Sequence, residues 1–287
     1  MNNSENTQGK LYLVATPIGN LEDMTMRAVR ILKEADLIAA EDTRNSIRLL
    51  NHFDIHTPMT SYHEYNRIEK AHELIAKMQE GKSVALITDA GTPGISDPGE
   101  DLVRLCLEAG VEVTSLPGAC ACVTALTISG LPTRRFCFEA FLPSDKKERR
   151  AVLEELKEET RTSIIYEAPH HLALTLRELA DALGERRITI CRELTKIHEQ
   201  AWQTTLPEAA AYYEEHEGRG EYVLVIEGLS RKSLKEREIR SWETLTIEEH
   251  VSLYTSQGMD RRDAMKTVAK DRGISKRDVY KALVETQ

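Results

Sequence analysis

Over residues 10–132, short apolar runs alternate with stretches whose apolar positions recur at helical spacing. The runs are LYLVA at 11–15, ADLIAAE at 35–41, SVALITD at 83–89 and VEVTSL at 111–116. They are apolar throughout instead of alternating, as strands covered on both faces are, so the pattern predicts βαβ units on a buried sheet. The helix in DLVRLCLEAG has the clearest punctuation: Asp97 as a cap, Pro98 at the first helical position and Gly110 as the stop.

A Gly130-Leu131-Pro132 break opens a second series: RFCFEAF, the charged helix KKERRAVLEELKEE, TSIIYEA, a helix from Pro169 to Gly184, RITICREL and EYVLVIEG. This reads as a second α/β unit, in which WQTTL and RITIC are equally compatible with antiparallel and parallel pairing. Beyond Gly228, the polar stretch SRKSLKEREIRSWET leads to three short amphipathic segments punctuated by Gly258, Gly273 and a Ser275 cap. The expected fold class is α/β, with two α/β domains and a small C-terminal helical, helix-turn-helix-like module. The expected boundaries are a flexible N-terminus at 1–9, domains at 10–132 and 133–229, a linker at 230–243 and a helical module at 244–287.

Composition narrows the class. With 287 residues, 41% of them apolar, the chain can bury an ordinary core. No apolar run reaches the length of a membrane span, and the start MNNSENTQGK has no basic-then-apolar leader pattern, so a cytoplasmic protein without membrane association is expected. Cys106, Cys120, Cys122, Cys137 and Cys191 lie in apolar runs and read as reduced core thiols; Cys120-x-Cys122 lacks a second pair at metal-ligand spacing, and no metal is expected.

The net charge of −9 argues against a nucleic-acid partner until it is divided along the chain. Residues 231–287 carry 13 basic and 10 acidic side chains, and the rest carries 25 against 37. In the tail, Arg261, Arg262, Lys276 and Arg277 begin predicted helices, where the macrodipole disfavours cations. A phosphate partner would reward that placement; a solvated helix face is the plainer alternative.

The candidate chemistry lies in turns after strands. TDAGTPGISDPG, residues 88–99, has three glycines and two prolines behind a buried strand, matches neither GxxxxGK[ST] nor GxGxxG, and is either a structural turn or a loop that lets backbone approach a ligand. ATPIGNLED at 15–23 and LPGACA at 116–121 are turns of the same kind, and all three can converge at one sheet edge.

These segments carry a resemblance. ATPIGNLEDMT, AEDTR, SYHEYN, TDAGTPGISDPG, LPGACA, FLP, YEAPHH and RELTKIHE, in this order, resemble the bacterial 16S ribosomal RNA cytidine 2′-O-ribose methyltransferases, a branch of the tetrapyrrole methylase superfamily. The resemblance implies S-adenosyl-L-methionine between two α/β domains, usually in a homodimer. The methyl acceptor would be the ribose of a decoding-centre cytidine, in 16S ribosomal RNA or the small ribosomal subunit. Carried over by motif, Ile18, Asp89, Ala90, Gly91, Thr92, Pro93, Ile95, Ser96, Cys120, Ala121, Tyr166 and Glu167 would line the cofactor, and the tail would bind RNA. The sequence departs from the usual pattern at Gly94 (leucine), Ala119-Cys120 (Pro-Ser), Ala140 (glycine) and His171 (arginine).

Methyl transfer to a ribose hydroxyl needs in-line placement and a proton acceptor. His63, Glu41 with Asp42, Glu167 and His170 are the candidates; the plainer alternatives are that Glu41 and Asp42 pair with Arg44 and that His63 caps the loop after Ser61. Two other functions share much of this pattern: a small-molecule tetrapyrrole methyltransferase and a non-catalytic RNA-binding assembly protein. The basic tail and the ATPIGN turn disfavour the first, and a cofactor-binding assay separates the second.

Overall fold

A computed structural model describes residues 9–230, 232–234 and 242–285; most of the expected flexible N-terminus and much of the expected linker lie outside the described residues. Its contacts divide the chain into two compact units, separating at Gly228.

The larger unit contains two sheets. The first has β1 (Lys10–Val14), β2 (Leu37–Ala40), β3 (Met59–Ser61), β4 (Val84–Ile87) and β5 (Glu112–Leu116). They are ordered β3-β2-β4-β1-β5, and every pair is parallel. Helices α1 (Met26–Glu34), α2 (Thr43–His52), α3 (Arg67–Gln79) and α4 (Gly99–Glu108) connect them. Successive side chains of a strand point to opposite faces, so Val84 and Leu86 pack with Leu74 and Leu102 of α3 and α4 while Ala85 and Ile87 pack with Leu32 and Leu50 of α1 and α2. That two-sided burial is why these strands read as unbroken apolar runs. The run at 111–116 differs: β5 is an edge strand, buried along its length only at Leu116. The short edge strand β3 has no apolar run of its own and ends at Ser61, the first residue of the SYHEYN motif.

The punctuation before α4 is shifted by one position. Pro98 is the capping residue itself, and Asp97 accepts from the amides of Gly94, Ile95 and Gly99, stitching the glycine loop to the helix start.

After α5 (Ala121–Ile128) comes a mixed sheet of β6 (Phe136–Phe141), β7 (Thr162–Glu167), β8 (Arg187–Arg192), β9 (Gln200–Thr205) and β10 (Tyr222–Ile226), ordered β6-β7-β10-β8-β9. Only β6 and β7 are parallel; RITIC and WQTTL form an antiparallel pair, the alternative that sequence left open. Helices α6 (Lys146–Leu156), α7 (Leu172–Leu183) and α8 (Leu206–Glu215) cover one face. Leu172, Leu176, Leu179 and Leu183 give α7 its apolar stripe, and each contributes roughly 1.5–3 kcal/mol by leaving water. The other face receives α5, whose Cys122, Ala125 and Leu126 pack with Ile164, Cys191 and Val223 and with Ile18 of the first half. Helix α5 thus joins the halves and holds the ends of their strands around one space.

The smaller unit contains α9 (Ile247–Ser256), α10 (Arg261–Asp271) and α11 (Lys276–Glu285), around Val251, Ala264, Val268, Val279 and Leu283. A capping box between Thr246 and Glu249 starts α9, Asp260 caps α10, and the Ser275 hydroxyl accepts from the amide of Asp278 at the start of α11.

Candidate active site

The three glycine-bearing turns follow β1, β4 and β5, adjacent in the sheet, and they are bonded together. Thr16 and Gly91 exchange both backbone hydrogen bonds, at 2.9 and 3.1 Å; the Thr16 hydroxyl donates to the Thr88 carbonyl and the Thr92 hydroxyl to the Ala119 carbonyl. Gly91 adopts φ +87°, where side chains are rarely found, and a Cβ there would lie 3.3 Å from Ile18 Cγ2.

Against this rim lies a cavity of about 500 Å³, within the usual size of small-ligand sites. Of the residues expected around a ligand, Ile18, Asp89, Ala90, Gly91, Thr92, Ile95, Ser96, Cys120, Ala121, Tyr166 and Glu167 line it; Pro93 does not. Phe141, Leu194 and Val223 add apolar wall, and Glu41, Asp97 and Glu221 add carboxylates. Leu194, Glu221 and Val223 were not singled out from sequence: RELTKIHE and the strand EYVLVIEG mark their segments, but no spacing within them says which side chains face a ligand. The RELTKIHE motif, residues 192–199, contains Leu194 and was the available signal for it.

The lining is electrostatically one-sided. Glu41, Asp89, Asp97, Glu167 and Glu221 border the cavity, and among the described residues no lysine, arginine or histidine does. A ligand with a cationic centre and a flat apolar part matches such walls. The acids are held in place. Glu167, 6% exposed, accepts the Ala168 amide on Oε1 and the Thr175 hydroxyl on Oε2, and Arg149 in turn donates to Thr175. Glu41 accepts the Thr88 hydroxyl at 2.7 Å on Oε2. Asp89 accepts the Asp42 amide, tying the ends of β4 and β2 together.

Tyr166 is wedged between Phe138 and Phe141, with ring centroids 4.9 and 5.7 Å away, and its hydroxyl accepts the Cys122 amide. Burial, then the neighbouring Cys122 and Cys120, push its pKa up and keep the phenol neutral. At the start of α5, Cys120 Sγ and Cys122 Sγ are 3.4 Å apart. The two thiols titrate in opposite senses: Cys120 is pushed down, chiefly by its hydrogen bond with Cys122, and Cys122 is pushed up by the same bond and by burial.

Three expected proton acceptors, Asp42, His63 and His170, stand outside the lining. Asp42 caps α2 and is bound by Arg44 at 2.8–3.3 Å, which lowers its pKa. His63 follows β3, and its buried Nδ1 has no hydrogen-bond partner. His170 lies against His171 with the two rings tilted, also outside the lining. In the smaller unit Arg261, Arg262, Lys276 and Arg277 are exposed in the first turns of α10 and α11. The Asp263 carboxyl is held below its ordinary pKa chiefly by its ion pair with Lys266 and, more weakly, by the charges of Arg262 and Lys276. Among the described residues, no three metal-ligating side chains gather at one point.

Comparison with known proteins agrees with this architecture. Residues 10–210 match the family model of the tetrapyrrole (corrin/porphyrin) methylases. Ribosomal RNA small subunit methyltransferase I of Halalkalibacterium halodurans is 51% identical over 273 residues, 95% of this chain and 94% of that one. The Bacillus subtilis protein of the same name is 46% identical over 280 residues, 98% and 96% of the two chains. Among solved structures, the Thermus thermophilus uroporphyrin-III C-methyltransferase complexed with S-adenyl homocysteine has the same fold, with a TM-score of 0.55 at 20% identity over 76% of this chain and 97% of that one. The chain therefore belongs to the tetrapyrrole methylases and, within them, to the family of ribosomal RNA small subunit methyltransferase I.

Proposed function

We propose that the cavity binds S-adenosylmethionine and that the chain methylates the ribose 2′-hydroxyl of a decoding-centre cytidine in 16S ribosomal RNA. Family membership supports a methyltransferase of small-subunit ribosomal RNA; the nucleotide and the hydroxyl rest on the motif resemblance. The observation that carries the cofactor reading is the lining itself: five carboxylates, apolar walls and, among the described residues, no basic side chain suit a sulfonium cation joined to an adenine. When bound, the cofactor supplies an electrophilic methyl group.

The protein's own part is placement and proton acceptance. The Thr16–Gly91 bridge and the Asp97 clamp fix the loop against which the ligand lies, and fixed geometry supplies most of the acceleration of an in-line displacement. Among the carboxylates we assign proton acceptance to Glu41. One of its oxygens is held by Thr88 and the other is left for the substrate, whereas both oxygens of Glu167 are engaged. Glu167 and Asp89 then face the cationic end of the cofactor. Asp42 and His63 belong to the same strand-end rim and serve RNA positioning, while Arg261, Arg262, Lys276 and Arg277 grip phosphates. The proposed organisation keeps the two α/β domains at 10–132 and 133–229 and a basic module at 244–287. It acts as a cytoplasmic homodimer on the assembled subunit.

The test is mapping of ribose methylation on 16S ribosomal RNA from cells with and without this gene. Loss of one methylated cytidine in the decoding centre, restored by the intact gene, is the expected result. An unchanged map would overturn the substrate assignment.

A further inference from the structure

Cys120 and Cys122 sit where the cavity wall becomes helix α5. Cys120 caps the helix with extended backbone, φ −148° and ψ 110°, and faces the cavity; Cys122, 6% exposed, stands behind it. Their sulfurs are 3.4 Å apart, about 1.4 Å more than the 2.0 Å of a disulfide, a gap that small rotations about the side-chain bonds can close. Serine, usual at the position of Cys120 in the proteins the chain resembles, could not enter this chemistry.

We propose that Cys120 and Cys122 are a reversible oxidation site, closed to a disulfide by a peroxide, and that closure disables the cavity. The first half stands on the geometry of the pair. The second half rests on the cavity being the cofactor site.

The chemistry balances with hydrogen peroxide as oxidant. The Cys120 thiolate attacks one peroxide oxygen, an S–O bond forms, and the O–O bond breaks. The departing hydroxide takes up the proton that Cys120 released and leaves as water. Cys122 then attacks the sulfenic sulfur; the S–S bond forms, the S–O bond breaks, and the lost hydroxyl leaves with the Cys122 proton as a second water. The two thiols lose two electrons and the peroxide gains them. A dithiol reductant reverses the change.

The surroundings favour this pair over the other cysteines. The Cys122 thiol and the amides of Val123 and Cys122 at the helix start stabilise the Cys120 thiolate against the opposing effect of burial. Burial instead pushes Cys106 and Cys191 up to about 12, and Cys137 is also raised. Cys106 and Cys191 are fully buried, while Cys120 opens on the cavity. Closing the pair pulls on the start of α5, where Ala121 forms cavity wall and the Cys122 amide anchors the Tyr166 hydroxyl.

The experiment treats the reduced full-length chain with a small excess of hydrogen peroxide, alkylates the remaining thiols and maps the peptides. The peptide holding both cysteines should become lighter by two hydrogens and refuse alkylation, about tenfold or more faster than any other thiol reacts. Dithiothreitol should restore it. In Cys122→Ser, Cys120 should stop at a sulfenic acid that dimedone traps, and in Cys120→Ser the residue Cys122 should stay reduced. Oxidation at Cys106, Cys137 or Cys191 at the same rate, or no link between 120 and 122, would overturn the site. Calorimetry with S-adenosylmethionine on the wild-type protein separates the two halves. An affinity about tenfold or more weaker after oxidation, recovered on reduction, is expected. Equal affinity in both states would overturn the regulatory half. No binding even by the reduced protein would overturn the cofactor reading and leave the linkage result to stand by itself.

Discussion

At the scale of single residues, backbone conformation makes the sharpest demands. Gly91 has φ +87° and sits against Ile18, so a leucine there must strain the backbone and intrude on the rim. Gly91→Leu should remove S-adenosylmethionine binding from a protein that still folds, as read by calorimetry beside circular dichroism; normal binding would refute the loop's role. Ala140 is the opposite case. It takes φ +53° at a bulge in β6, a conformation costing a non-glycine residue roughly 1–2 kcal/mol. Glycine loses about 0.5–1 kcal/mol of that gain to chain entropy. Ala140→Gly should therefore stabilise the protein by roughly 0.5–1 kcal/mol, seen as a higher urea midpoint with an unchanged slope. Glu41→Gln should lower turnover about 100-fold at unchanged cofactor affinity, the usual size of a lost general base. An equal loss in His63→Ala with Glu41→Gln near normal would transfer the role to His63, whose Nδ1 is buried without a partner.

At the scale of elements, legibility followed from how much of an element's environment its own residues encode. Strands β2 and β4 are buried on both faces, and LIAA and VALI declare it. Edge strand β3 buries little, so MTS carries no signal. Of the site, the three turns of the first half were legible because glycine and proline mark backbone that must bend or be approached. Leu194, Glu221 and Val223 arrive by tertiary packing; RELTKIHE and EYVLVIEG mark their segments, but which of their side chains face the cavity is not written in any local pattern. The start of α9 holds another feature invisible in sequence. His250 is fully buried, stacked on Trp242 at 4.7 Å, with Nδ1 accepting from Arg272 and Nε2 3.7 Å from Asp271. Burial, then the Arg272 charge, lower its pKa, and Asp271 opposes them more weakly. The folded state therefore favours neutral histidine. The resulting stability is present above the unfolded value of about 6.5 and is lost as pH falls through the lower folded value. Chemical denaturation of the smaller unit, followed by Trp242 fluorescence in a Trp202→Phe background, should show a midpoint that drops below that pH. His250→Gln should flatten the dependence, and equal acid sensitivity in both proteins would refute it.

At the scale of the whole molecule, the charge that argued against nucleic acid is a sum over unlike parts. The body is acidic where it lines the cavity, and the smaller unit carries the basic excess. Not all of that excess is available. Arg272 donates to the carbonyls of Trp242, Leu245 and Thr246 and holds its own unit together. Arg261, Arg262, Lys276 and Arg277 are exposed, and among the described residues no hydrogen bond or ion pair occupies their side chains. Each phosphate contact releases counterions, so log affinity for RNA falls with log salt by about 0.7–0.9 per contact. Reversing all four charges in the full chain should weaken RNA binding and flatten that slope by about 3 units, while leaving S-adenosylmethionine binding and the melting of the larger unit unchanged. Filter binding over a range of salt concentrations measures the slope. Equal slopes for the two proteins would mean that these side chains meet only solvent, and that the RNA is held by other surfaces of the chain.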